Sequence, residues 1–293
     1  METSDGRTLR ANVAGPEDGP LLVFHTGTPG TNRLYAQLLD EGARRGLRQV
    51  CCARPGYGGS ARLPGRSIAD CAADAVAVAD ALGAESFYVV GHSGGAPHAL
   101  ACAAALADRV IAAAAVSGFG PRRVLGDGWM TGMAEGNVEE FGAALAGEAT
   151  LAAYLEPVRD EWREIRSLEQ LRTALWEFFS DADRELLLDD SFLRYQLGCV
   201  QQIGGEEIWG WFDDDHALVG EWGFAVEGIE IPVAIWHGEE DPAVPAWQSG
   251  WIAERIASAR FHCLRGEGHI SPLYRHYGAI LDELLELGRR GFG

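Results

Sequence analysis

The stretch that most limits how this chain can fold is Gly91-His92-Ser93-Gly94-Gly95. It follows the short apolar run Phe87-Tyr88-Val89-Val90 and precedes the alanine-rich Ala96-Pro97-His98-Ala99-Leu100-Ala101. A Gly-x-Ser-x-Gly turn between a strand and a helix lifts its serine onto a sharp corner, where the hydroxyl is presented beyond the sheet. That corner strains the serine backbone, so the residues around it have to be small. A serine hydroxyl is a weak nucleophile until a base takes its proton and hydrogen-bond donors receive the oxyanion. Ser93 is therefore a candidate nucleophile on condition that a base and its partner lie elsewhere in the chain. The competing reading is a βα turn merely punctuated by serine and glycine.

The flanking sequence predicts an α/β fold. Residues 7–20 read as a strand and turn broken by Gly15-Pro16 and Gly19-Pro20, and Leu21–His25 as a buried strand. A helix over about 33–45, a strand over 48–53 and a helix from the Ser67/Asp70 capping signal to about Leu82 follow. The Phe87–Val90 strand leads into a helix to about Leu106, and Val110–Val116 reads as the next strand. Short apolar strands alternating with helices indicate a mostly parallel sheet with helices on both faces. The alternation stops near Ser117 and resumes near Ile231. Between them lie helical stretches around 138–145, 160–179 and 191–202, with Trp129, Trp162, Trp176, Trp209, Trp211, Phe212 and Trp222. The expected organisation is a core of residues 1–118 and 230–293 with a helical cap insertion over 119–229. Strands at Val233–His237 and Arg260–Leu264, with helices over 246–256 and 273–287, complete the pattern.

Composition removes several chemistries. All 24 basic residues are arginine, so Schiff-base, pyridoxal-lysine and P-loop chemistry are excluded. A formal net charge of -19 disfavours nucleic acid and anionic membranes. The six cysteines, Cys51, Cys52, Cys71, Cys102, Cys199 and Cys263, have no regular spacing and read as buried free thiols of a reducing compartment. No Cys-x-x-Cys or His-Glu-x-x-His pattern is present, so neither a metal nor another cofactor is expected. The N-terminal residues lack the features of a signal peptide, and no apolar stretch approaches the roughly 20 residues that span a bilayer. A cytoplasmic location is the expectation; oligomeric state is unreadable.

In open α/β sheets, functional groups sit in loops beyond the carboxyl ends of the strands. The loop after Val233–His237 is Gly238-Glu239-Glu240-Asp241-Pro242-Ala243-Val244-Pro245, and the loop after Arg260–Leu264 is Gly266-Glu267-Gly268-His269. The order Ser93…Asp241…His269 is that of nucleophile-elbow hydrolases. Glu239 and Glu240 compete with Asp241 but lack its position before Pro-x-Val-Pro. His25, His98, His216, His237, His262 and His276 default to packing or surface roles.

Through Gly27-Thr28-Pro29-Gly30, the elbow, Gly238–Pro245 and Gly268-His269, nearly the whole chain resembles an α/β-hydrolase-fold serine hydrolase of the capped, esterase- or aminopeptidase-like kind. The resemblance implies Ser93 as nucleophile, His269 as general base and Asp241 as the carboxylate that orients it. It implies the backbone N–H groups of Thr28 and Gly94 as oxyanion-hole donors. Two positions depart from the pattern: the usual loop histidine aligns with Thr26, one residue after His25, and Ala53 stands where relatives often carry aspartate.

The implied activity is cleavage of an ester, lactone, thioester or amide of a small apolar substrate through an acyl-enzyme. Rival readings on the same triad are a prolyl-aminopeptidase-like enzyme, with Glu206 and Glu207 to hold an amine, an acyltransferase and a cofactor-free haloperoxidase. A serine at position 93 argues against a dehalogenase or epoxide hydrolase, which use aspartate. A non-catalytic small-molecule receptor on the same scaffold is the reading from another class. Gly56-Tyr57-Gly58-Gly59-Ser60-Ala61 mimics a dinucleotide fingerprint, but Arg62-Leu63-Pro64-Gly65 breaks the helix that such a site needs. Asp213-Asp214-Asp215 reads as a solvated or helix-capping cluster and not as a metal site.

Overall fold

The computed structural model describes residues 1–290. In chain order the elements are β1 (Ala11–Ala14), β2 (Leu21–His25), α1 (Ala36–Arg44), β3 (Arg48–Cys52), α2 (Cys71–Ala81), β4 (Phe87–His92), α3 (Ala96–Ala105) and β5 (Val110–Val116). Helices α4 (Arg122–Leu125), α5 (Glu135–Ala146), α6 (Glu148–Glu164), α7 (Leu168–Trp176), α8 (Asp181–Leu186), α9 (Asp190–Gly205) and α10 (Trp209–Val219) follow without an intervening strand. Then come β6 (Val233–Gly238), α11 (Ala246–Ala253), β7 (Ala259–Leu264) and α12 (Ser271–Arg290).

The seven strands form one sheet in the order β1-β3-β2-β4-β5-β6-β7. Only β1 runs antiparallel to its neighbour, with Val13 opposite Val50. Strand residues alternate between two buried layers, as the two-residue strand period demands. Leu21, Val23, Phe87, Val89, Val233 and Ile235 pack on one face with α2 and α3. Leu22, Phe24, Tyr88, Val90, Ala234 and Trp236 pack on the other with α1 and α12. Both faces are buried in hydrophobic clusters, which explains why these strands read as continuous apolar runs.

Element boundaries differ from the sequence expectation where side chains redirect the backbone. Asp70 accepts from the Ser67 N–H at 2.7 Å and the Ser67 hydroxyl at 2.9 Å, closing a turn, so α2 starts only at Cys71. The expected helix over 160–179 is two helices, α6 and α7, because Ser167 and Gln170 form a capping box that starts a new one. Cys263 is exposed, unlike the other five cysteines, because β7 is the edge strand. Among the described residues no helix is long and apolar enough to cross a membrane.

Candidate active site

The site begins at the end of β4. Ser93 has φ 54°, a left-handed conformation that costs a serine strain energy and turns its hydroxyl out of the sheet. The turn leaves no room for side chains on its flanks. A Cβ on Gly91 would overlap the Gly95 carbonyl, and one on Gly95 would overlap the carbonyls of His25 and Thr26. His98, one turn into α3, donates from Nδ1 to the Gly94 carbonyl at 2.9 Å and so helps hold the corner.

Two loops at the same end of the sheet meet this serine. His269 precedes α12, and its Nε2 lies 2.9 Å from Ser93 Oγ. Its Nδ1 lies 2.8 Å from Asp241 Oδ2, in the loop after β6. A carboxylate facing Nδ1 requires the proton there, which leaves Nε2 as acceptor for the Ser93 hydroxyl. Asp241 is fixed in turn by the Ala243 and Val244 N–H groups, both donating to Oδ1 at 2.8 Å. His237 Nε2 lies 3.0 Å from the Asp241 oxygen that holds His269. Burial works against the Asp241 charge, but His269 and His237 outweigh it and hold the carboxyl below the usual carboxylate range. Burial likewise pulls His269 down, yet the Asp241 charge and hydrogen bond leave its pKa raised. Burial, with His269 alongside, pushes His92 down to about 3, so it stays neutral beside His269.

The loop after β2 supplies the remaining predicted residue. Thr28 lies so close to Gly94 that a Cβ there would overlap the threonine side chain, which puts the backbone of both residues beside Ser93. The loop is held from below by Arg54, which donates to the carbonyls of Thr26 at 2.5 Å and Gly27 at 2.8 Å. Arg54 pairs with Asp214 of α10 at 2.5 Å, and Arg66 pairs with the other Asp214 oxygen at 2.8 Å. Thr28 Oγ1 and the Tyr57 hydroxyl each donate to Asp214 at 2.9 Å. The acidic run expected to be solvated or helix-capping is instead buried, with Asp214 and Asp215 at 0% exposure. Successive helix residues point about 100° apart, so the three aspartates have separate partners: Asp213 takes Arg62, Asp214 takes Arg54 and Arg66, and Asp215 faces Glu140.

A second buried carboxylate was not foreseen. Asp183 of α8 is fully buried and accepts from the N–H groups of His269 at 2.7 Å, Ile270 at 3.0 Å and Ser271 at 2.8 Å. It occupies the start of α12, where free N–H groups and the helix dipole favour an anion. The nearest sequence signal is Ser180, the N-cap of α8, three residues before Asp183; it marks a helix start and says nothing of a partner 86 residues away. Asp183→Ala leaves three buried donors unmet and should cost about 2–3 kcal/mol. Urea denaturation measures it; a loss below about 0.5 kcal/mol would remove Asp183 from the support of His269.

Ser93, His92, His269, Gly27 and Thr28 line one wall of a cavity of about 410 Å³, within the usual size range of small-molecule sites. The facing wall comes from the segment between β5 and β6, including Phe141, Tyr154, Trp162, Phe179 and Trp211. Glu140 also lines it. Glu206 does not: its carboxylate accepts from the Gly58 N–H at 3.0 Å. Glu207 is exposed and also absent from the lining. Behind the elbow, His25, Cys71 and Cys102 bring their donor atoms within 4.8 Å of one another, a group of metal-binding type buried in the core.

The model of the alpha/beta hydrolase family matches residues 21–283 of the chain. A non-heme chloroperoxidase of Streptomyces lividans is 27% identical over 97% of this chain and 97% of its own. Among solved structures, a bromoperoxidase from Bacillus anthracis superposes with a TM-score of 0.71 at 18% identity, covering 98% of this chain and 99% of that one. An enol-lactonase from Burkholderia xenovorans superposes with a TM-score of 0.68 at 17% identity, covering 97% and 98%. At those identities the structural likeness is one of fold.

Proposed function

We propose that this chain, which belongs to the alpha/beta hydrolase family, is a serine hydrolase that cleaves a small acyl substrate through an acyl-enzyme on Ser93. The observation that carries this reading is the continuous hydrogen-bonded line from Ser93 through His269 to Asp241 at the wall of a mainly apolar cavity. His269 Nε2 takes the Ser93 proton as Oγ attacks the carbonyl, and Asp241 stabilises the imidazolium that forms. The N–H groups of Thr28 and Gly94 receive the oxyanion. His269 then protonates the leaving group and activates the water that deacylates Ser93. In this reading residues 119–229 serve as a cap whose aromatic side chains exclude water from the acyl group, and the apolar wall favours esters or lactones.

A fluorophosphonate probe tests the reading directly: one adduct at Ser93, found by peptide mass spectrometry, is the expected result. Absence of labelling together with no turnover of any acyl ester would favour the receptor reading instead. The chloroperoxidase relative supports a second use of the same intermediate, in which an acceptor other than water takes the acyl group; hydrogen peroxide diverting the acyl product would identify it.

The raised pKa of His269 sets the pH dependence. The residue must be neutral to act as base, so kcat/KM should fall on the acid side with an apparent pKa above the ordinary histidine value of about 6.5. The stabilising effect runs the other way. Charged His269 stabilises the fold fully below the unfolded pKa, and that contribution is lost as pH rises through the folded pKa. An acid limb centred below the ordinary value would contradict the Asp241 coupling.

A further inference from the structure

The cavity wall formed by the segment between β5 and β6 carries one carboxyl, Glu140, with a second, Asp215, buried behind it, and the acyl-transfer chemistry uses neither. Glu140 of α5 lines the cavity and accepts from the Trp211 indole N–H at 2.8 Å. Behind it, Asp215 of α10 is fully buried, and among the described residues no N–H or hydroxyl donor reaches its carboxylate oxygens, which meet the Glu140 carboxyl instead. The two carboxyls face each other across α5 and α10. Aromatic rings share the cavity lining with Glu140: Trp162 and Trp211 have centroids 5.2 Å apart, and Tyr154 and Phe141 also line the cavity. Buried carboxylates joined to an aromatic wall form the environment that receives an organic cation, by charge and by the ring faces.

We propose that the Glu140–Asp215 pair is a recognition subsite for a protonated amine carried by the substrate, bound in the cavity that Ser93 faces. The substrate class is then an amino-substituted ester, lactone or amide. The inference rests on the hydrolase reading for its catalytic part, while the amine subsite can be measured without turnover.

The surrounding charges favour one added cation. Asp213 is matched by Arg62, and Asp214 lies between Arg54 and Arg66. Arg66 is the basic group that acts on Asp215; Glu139 and Glu161 are the other acids near this wall, through Tyr154. With Arg54 and Arg66 set against Asp214, Asp215 and Glu140, the buried group is neutral only when the pair holds one proton. Burial pushes Glu140 up to about 7 and raises Asp215 as well. An ammonium group bound against Glu140 takes the place of the proton on that carboxyl at no net change in buried charge, so binding releases the proton to solvent.

Titration calorimetry with n-hexylammonium and with hexan-1-ol tests the subsite. The ammonium should bind at least about tenfold more tightly than the alcohol. At about pH 6, where the pair is protonated, binding should release close to one proton, read from buffers of different ionisation enthalpy. Glu140→Gln keeps the shape and the acceptor for Trp211 but removes the charge, and should bring the two affinities together. Glu139→Gln, on the exposed side of the same helix, should keep the wild-type ratio. Equal affinities in the wild type, or a ratio unchanged by Glu140→Gln, overturns the proposal.

Turnover separates it from the hydrolase reading. The p-nitrophenyl ester of ω-aminohexanoate should exceed that of hexanoate in kcat/KM by about tenfold. Hydrolysis of both esters without preference for the amine sinks the subsite alone. Selective amine binding without any ester turnover or Ser93 labelling upholds the subsite and sinks the hydrolase.

Discussion

Ser93→Ala should lower kcat for short acyl esters by about 10⁵–10⁶-fold and abolish fluorophosphonate labelling. The size follows from the single path the proton has: Ser93 Oγ is 2.9 Å from His269 Nε2, and that ring is already committed to Asp241 through Nδ1. Without the hydroxyl, His269 can activate only water, and in the proposed mechanism any residual rate comes from binding and from the oxyanion donors proposed at Thr28 and Gly94. The backbone cost is unchanged, because alanine is no better suited than serine to φ 54°. The mutant should therefore fold as the wild type does. His269→Ala should be nearly as damaging, and the double mutant little worse than either, because the groups act as one unit. Near-normal esterase activity in Ser93→Ala would discard the mechanism.

Asp214→Asn should produce the largest loss of stability, about 3–5 kcal/mol. The carboxylate is at 0% exposure with Arg54 and Arg66 on its two oxygens, and both guanidiniums are themselves buried. Neutralising it strands two cations in the core, and an amide cannot accept what a carboxylate did from Thr28, Tyr57 and Arg54 together. Arg54 also holds the Thr26 and Gly27 carbonyls, so the loop that presents Thr28 should loosen and turnover should fall by about ten- to a hundredfold. Asp213→Asn is the matched control: Arg62 is 31% exposed, and a pair of that kind contributes about 1 kcal/mol or less. Urea midpoints of the two variants decide the matter; equal, small losses would mean that Asp214 is not the anchor of this loop.

The same charges give a pH signature. Burial opposes the charged form of Asp214, but Arg54 and Arg66 hold its pKa below the usual range; His269 and His237 do the same for Asp241. Their contributions to stability are complete above the unfolded carboxylate value of about 4 and are lost as pH falls through the depressed folded values.

The sequence by itself determined the sheet and which residues to propose as the reacting groups. Strand alternation, the glycines around Ser93 and the loops carrying Asp241 and His269 are local signals, each written within a few residues, and their order follows the topology of the fold. Helix starts were legible only in part: Ser67 and Asp70 looked like a cap, yet their hydrogen bonds closed a turn instead. The tertiary structure alone decided the support of the site. Arg54 meets Asp214 across 160 residues, His269 meets Asp183 across 86 and Trp211 meets Glu140 across 71. Nothing near an aspartate in sequence says whether water or a buried arginine will face it. Three consecutive aspartates on α10 look alike as text, but a helix turns each about 100° from the last. One reaches a half-exposed arginine, one a buried arginine pair and one the carboxyl of Glu140 at the cavity wall, because burial and charge pairing are properties of the packed helices and not of the run.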